Sequence, residues 1–311
     1  MRRQFLVASF WLLVAAVPLR ASVFYVTVAG LGGEPDYEQR FVGTAKELDK
    51  VFKASSGAHV YTLTGAQATK AGLSGVMAAV AREAKAEDDL VVTLIGHGSF
   101  DGVEYKFNLV GPDVSAPELA VLCDKVAAKR QLIVNTTSAS GGSVAALERV
   151  GRGVIAATKA GSEKNATVFA RYWAEALQDP TADVDKSESI SAMEAFQYAE
   201  RKTAAFYESQ KRLATEHAVF EDTGRGEAVK VSAMQGRQGA LLSSLTLVRI
   251  GGAQSAMNDP AKHELLLKKE ELEQKIDGLK YQKAAMEPGE YKRQLTDALL
   301  QLAVVQGELE K

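Results

Sequence analysis

The sequence predicts an α/β fold: a mostly parallel, doubly wound sheet with helices on both faces, followed by a C-terminal antiparallel helical hairpin. Three observations carry this. Short runs rich in Val, Ile and Leu recur five times between Val23 and Thr158, each separated from the next by a segment of helical period. Several of these runs end in glycine and small hydroxyl residues, as the carboxyl ends of buried parallel strands do. After Asp259-Pro260 the composition shifts to Glu and Lys with leucines at a/d-like spacing.

The N-terminus stands apart from this pattern. Arg2 and Arg3 precede an apolar run from Phe5 to Val17, with Pro18 and Ala21 beyond it. A positive region, an apolar core and a small residue near a cut describe a secretory signal over 1–21, so the mature chain is expected to be exported. Leu19 sits where a small residue is preferred, which leaves an uncleaved membrane anchor as the alternative. The formal net charge of −2 gives no basic excess for nucleic acid, and a single cysteine, Cys123, forbids an internal disulfide. Cys123 falls on a helix with Leu119, Leu122 and Val126 and reads as a buried structural residue.

The main domain is expected over 22–258. Val23 to Ala29 is its first strand, ending in Gly30-Leu31-Gly32-Gly33; Pro35 breaks the dinucleotide fingerprint, so a tight strand-to-helix turn is expected. A helix from Asp36 to Phe52, a strand from His59 to Leu63 and an alanine-rich helix from Ala66 to Lys85 follow. The third strand, Leu90 to Ile95, runs into Gly96-His97-Gly98-Ser99. A hairpin is expected around Val103 to Leu109, then a helix opened by a capping box of Ser115 and Glu118. The fourth strand is the start of QLIVNTTSASGG, Gln131 to Gly142, and the fifth is Gly153 to Thr158. Helices are expected at Val144–Val150 and Thr167–Leu177. A longer one runs from the Ser191/Glu194 capping box to about Leu213. Leu241 to Ile250 reads equally as a sixth strand or a short helix.

The hairpin is expected over 259–311. Leu265, Leu272, Ile276 and Leu279 form one seam and Tyr291, Leu295, Leu299, Leu302, Val305 and Leu309 the other, with Pro288-Gly289 between. Each helix is too short to stand alone, so docking on the main domain and homodimerisation are both open.

Two strand ends carry candidate chemistry, His97 after the third strand and Ser138 after the fourth. In a parallel sheet these ends fall on the ligand-binding edge. The remaining histidines, His59, His217 and His263, have no comparable context and read as structural.

Here the chain resembles a family. LVVTLIGHG matches the histidine strand of the legumain and caspase-like cysteine peptidases, and IVNTTSASGG matches their nucleophile strand. VIAATKAGSEKN is similar to the strand and loop that help line their specificity pocket. The resemblance is closest to the legumain side and its bacterial relatives, and it spans Val23 to about Gly226. It implies a caspase–hemoglobinase fold with His97 as the catalytic histidine and the Gly98 N–H as an oxyanion donor. Ser138 falls at the nucleophile position because Ser140-Gly141 stands where the family has Ser-Gly. Thr136 and Thr158 fall at pocket positions. No metal or cofactor is implied.

The departure from the family is Ser138 itself, where the peptidases carry cysteine. A thiol ionises near neutral pH with help from a histidine, whereas a serine hydroxyl needs a strong, oriented base. The resemblance supplies no orienting acid. The expectation is therefore an exported peptidase-like protein, inactive or impaired as a cysteine peptidase, retained to bind a peptide or protein. An active hydrolase using a Ser138–His97 dyad is the alternative.

Overall fold

The computed structural model describes residues 21–311; the expected signal segment lies outside them except for Ala21. Six strands form the central sheet: β1 (Val23–Ala29), β2 (Ala58–Leu63), β3 (Asp89–Ile95), β7 (Arg130–Asn135), β8 (Arg152–Ala156) and β10 (Val219–Glu221). Their order across the sheet is β10-β8-β7-β3-β1-β2. All neighbours are parallel except β10, which runs antiparallel to β8 at one edge. A small three-stranded sheet, β4 (Gly98–Phe100), β5 (Tyr105–Phe107) and β6 (Val114–Ser115), leaves the end of β3. β9 (Ser189–Ser191) and β11 (Thr246–Arg249) pair separately.

Helices cover both faces, because the inner strands are apolar on both sides and alternate residues feed two cores. On one face Tyr25, Val91 and Val134 pack with α1 (Pro35–Lys53), α5 (Phe169–Ala176) and α6 (Ala192–Ser209). On the other, Phe24, Val26, Val92 and Ile133 pack with α2 (Lys70–Glu83), α3 (Ala116–Asp124) and α4 (Val144–Leu147). The expected α/β architecture is the one observed. Cys123 is fully buried on α3, and burial pushes its thiol up to about 12, which leaves it protonated and inert at neutral pH.

Leu241–Ile250 resolves into both alternatives at once, a short helix α7 (Ala240–Ser244) followed by β11. The edge strand β10 was not expected. The hairpin consists of α9 (Pro260–Gln282) and α10 (Pro288–Leu309), preceded by α8 (Gly251–Asn258). It docks on the main body: Leu266, Leu272, Ile276 and Leu279 of α9 are buried, and Arg249 of β11 forms an ion pair with Glu270. Leu272, Ile276 and Leu279 are inner positions as expected, and two positions differ by one residue: Leu266 is buried in place of Leu265, and Ala298 in place of Leu299, which is 48% exposed. Packing on a third element shifts these two positions away from a strict two-helix seam.

The sheet has its topological switch between β1 and β3. From β1 the chain crosses to β2 on one side, while β3 lies on the other. Loops leaving the two strands therefore diverge and open a crevice at their carboxyl ends, the place where such sheets bind ligands.

Candidate functional site

Beyond β7 the chain holds its place in the sheet for one more residue, Thr136. The Thr136 N–H donates to the Leu94 carbonyl, and the Ala157 N–H donates to that of Asn135. The run then closes on itself through its own hydroxyls. Thr137 Oγ1 donates to Asn135 Oδ1 at 2.8 Å and the Tyr105 hydroxyl lies 2.5 Å from it, while the Asn135 amide donates to Ser143 Oγ at 3.0 Å. Ser143 Oγ donates to the Ser140 carbonyl at 2.7 Å. Ser140 and Thr158 hydroxyls meet at 3.2 Å, and Thr158 Oγ1 accepts the Gly141 N–H at 2.9 Å. Every residue from Gln131 to Ser140 is buried. The small hydroxyl residues satisfy a buried turn that would otherwise strand backbone donors.

Ser138 belongs to this closed arrangement. It is 2% exposed; its Oγ accepts the Gly98 N–H and donates to the Gly98 carbonyl, each at 3.1 Å. The hydroxyl and the expected oxyanion donor thus satisfy one another. Only glycine fits at 98, since a Cβ there would stand 2.5 Å from both the Ser138 carbonyl and the Tyr105 ring. The next residue, Ala139, has φ +57, an uncommon left-handed conformation for a side-chain-bearing residue. Phe100 of β4 covers the loop, its ring seated where Gly142 and Gly161 have no side chains.

His97 stands one residue before Gly98, so the structure brings the two candidate positions to adjoining backbone. Among the described residues, however, no hydrogen bond joins the His97 ring to Ser138. The ring lies edge-on to Tyr37 and Phe41, with centroids 4.7 and 5.1 Å away. The Gly32 backbone faces it across the switch-point crevice. Burial lowers its pKa, the Gly32 carbonyl opposes that by favouring the charged ring, and the Arg40 charge lowers it further. The imidazole is therefore neutral at pH 7, and the Tyr37 and Phe41 rings hold its plane.

The sign of the resulting pH dependence is fixed. A folded pKa below the unfolded value contributes stability that is complete above about 6.5 and lost as pH falls through the lower folded pKa. We expect the ring protons of His97 to titrate below the ordinary histidine value by NMR. In Phe41→Ala, which opens the ring to water, the midpoint should return upward; an unshifted midpoint in both proteins would contradict this environment.

A cleft of about 700 Å³ opens next to the His97 turn, between α1 and α5 at the carboxyl edge of the sheet; Gly96 lines it and His97 itself does not. Arg40, Thr44, Thr136, Thr167, Arg171 and Phe206 line it. Its volume suits a ligand the size of a few residues of peptide. Thr136 thus faces the cleft, although its own hydroxyl is bonded to the Leu94 carbonyl at 2.7 Å. Thr158 does not line it; it is fully buried in the Ser140 network.

Sequence reasoning missed Arg40, whose guanidinium reaches the Thr167 carbonyl at 3.4 Å, and Tyr105, whose hydroxyl caps the nucleophile-position loop. It also passed over His217. That ring pairs with Glu163 at 2.6 Å, and the Glu163 carbonyl accepts the Ala139 N–H, so the pair flanks the same loop.

No family model matches the chain, and no curated protein matches it. Among solved structures it is similar to the initiator caspase Dronc of Drosophila, at 11% identity and TM-score 0.44, over 67% of this chain and 81% of that one. It is also similar to a structural-genomics target from Geobacter sulfurreducens, at 13% identity and TM-score 0.45, over 75% of this chain and all of that one. At TM-scores below 0.5 these likenesses carry no further argument.

Proposed function

We propose that this chain is a peptidase-like protein that does not cleave peptides and instead binds a peptide segment in the cleft next to the His97 turn. The observation that carries the reading is the state of Ser138: buried, with its hydroxyl engaged in both directions by the Gly98 peptide unit. A nucleophile in that position gives its proton to a backbone carbonyl and not to a base, and the oxyanion donor beside it is already used. The cleft, in contrast, offers apolar surface, the Arg40 and Arg171 guanidinium groups and the Asp36 and Glu47 carboxylates. Export belongs to the same reading and rests on the Arg2-Arg3 and Phe5–Val17 pattern alone. So does association of two copies through the outer side of the hairpin, where Leu267, Leu300 and Val304 are exposed.

A displayed peptide library, selected on the purified protein, tests the binding half. Enriched peptides should bind the wild type and Ser138→Ala alike. They should lose at least about tenfold in affinity to Ala170→Trp and Thr44→Trp, which fill the cleft from its two walls. Affinity unchanged by both cleft-filling variants would remove the cleft from the account.

A further inference from the structure

The segment joining α5 to α6 carries oxygen-bearing side chains at every second position: Asp183, Asp185, Ser187, Ser189 and Ser191. Glu194 closes the run. Counted from Asp183, these are places one, three, five, seven, nine and twelve, the spacing at which an EF-hand loop presents its ligands to calcium. The buried Ile190 occupies the eighth place on β9 and pairs with β11. Glu188, at the sixth place, has φ +64, the left-handed turn for which such loops use glycine.

The fold brings the charged members together. One carboxylate oxygen from each of Asp183, Asp185 and Glu194 lies within 4.8 Å of the other two. Independently of that clustering, Asp183 is only 4% exposed and has no cationic partner among the described residues. Its oxygens accept the Ser187 and Glu188 N–H groups, which fix the carboxylate without neutralising it. The neighbouring ammonium groups point elsewhere: Lys186 donates to the Asp183 backbone carbonyl, and Lys269 donates to the Ser187 carbonyl and pairs with Glu273. A small cavity next to the site is lined by Asp185 and Glu194 together with Glu270, Glu273 and Asp277 of α9, which pair with Arg249, Lys269 and Lys280 and leave the loop carboxylates without those cations. Buried carboxylates are as a rule paired with a cation or bound to a metal. For Asp183 the described residues supply no such cation.

We propose that the Asp183–Glu194 loop binds one calcium ion. The carboxylates of Asp183, Asp185 and Glu194, the Ser187 hydroxyl and the Ser189 carbonyl are its direct ligands, and Ser191 acts through a water. All donors are oxygen, which suits a hard cation, and an irregular loop of this length favours calcium over the stricter octahedron of magnesium. The loop touches both the start of α6 and, through Lys269, the hairpin helix α9. Binding therefore ties the C-terminal hairpin to the sheet domain and stabilises the native state by linkage.

The test uses the full chain, stripped with EGTA and titrated calorimetrically with calcium chloride and separately with magnesium chloride, with thermal melts alongside. The expected result is one calcium per chain, a higher Tm in calcium than in EGTA, and binding at least about tenfold weaker for magnesium. Asp185→Asn changes an exposed side chain, so its Tm in EGTA should match the wild type while its calcium affinity falls at least about tenfold. Glu194→Gln should lose calcium binding as well. Absence of heat and of a Tm change at millimolar calcium, equal affinity for magnesium, or an unchanged affinity in Asp185→Asn would each overturn the assignment.

Discussion

Replacing Trp173 with alanine is expected to destabilise the protein by roughly 3–5 kcal/mol, the range for deleting a large buried aromatic side chain. Trp173 is fully buried on α5, stacked near Phe169, and Phe169 in turn meets Phe196 of α6. Removing the indole opens a cavity at the junction of two helices and the sheet, behind one wall of the cleft. The companion variant makes the prediction specific. The Trp173 Nε1 has no hydrogen-bond partner, so the native side chain already carries an unsatisfied buried donor. Trp173→Phe removes that donor along with some volume, and its cost should be smaller, about 1–2 kcal/mol. Urea denaturation at constant m-value measures both. Equal losses for the two variants would mean that the indole N–H is satisfied in solution.

Arg152→Ala is expected to cost a similar amount, about 3–5 kcal/mol, for a different reason. Arg152 is 1% exposed at the start of β8. Its guanidinium donates to Gln131 Oε1 at 2.8 Å, to the Leu147 carbonyl at 3.1 Å and to Asp124 Oδ1 at 2.6 Å. Gln131 passes the connection on, its amide donating to the Cys123, Val126 and Ala128 carbonyls. The network thus satisfies the carbonyl end of α3 against two strands. Truncating the arginine strands the Gln131 and Leu147 oxygens in the interior, each costing about 1–3 kcal/mol, and adds a cavity. Lysine cannot reproduce the three-way fork and should recover only part of the loss. If Arg152→Ala proved neutral in denaturant midpoint, water would have to reach this buried network.

The parallel strands and flanking helices were legible because both obey simple periodicities. Buried parallel strands read as continuous Val/Ile/Leu runs, and the helices over them repeat their apolar residues every three or four places. The edge strand β10 was not legible for a physical reason. It has three residues, and Glu221 closes the turn that follows by accepting the Thr223 and Arg225 N–H groups, so it looks like loop chemistry. The drift of the hairpin seam from Leu265 to Leu266 likewise reflects the body against which α9 packs, which a heptad count does not contain.

The site was half legible. His97 and Ser138 could be placed at neighbouring strand ends because strand order is constrained in such sheets. What Ser138 bonds to was not legible, since its partner is the Gly98 backbone and backbone groups leave no sequence signal. Nor could sequence show that Tyr105 covers the loop, because the hairpin bearing it folds back over the sheet edge. His217 and Glu163 are 54 residues apart, too far for any local pattern to join them. The Asp183–Glu194 run was hidden differently. Ser191 and Glu194 form a complete capping box, a local pattern that explains both residues without the longer spacing.

The central claim is that the Ser138 hydroxyl is a structural group and not a nucleophile. Labelling of the purified protein with a serine-reactive fluorophosphonate probe tests it most directly. The account predicts no incorporation above that of the Ser138→Ala variant, at any pH where the protein stays folded. Stoichiometric labelling that disappears in Ser138→Ala and falls in His97→Ala would contradict it and establish a working serine–histidine pair.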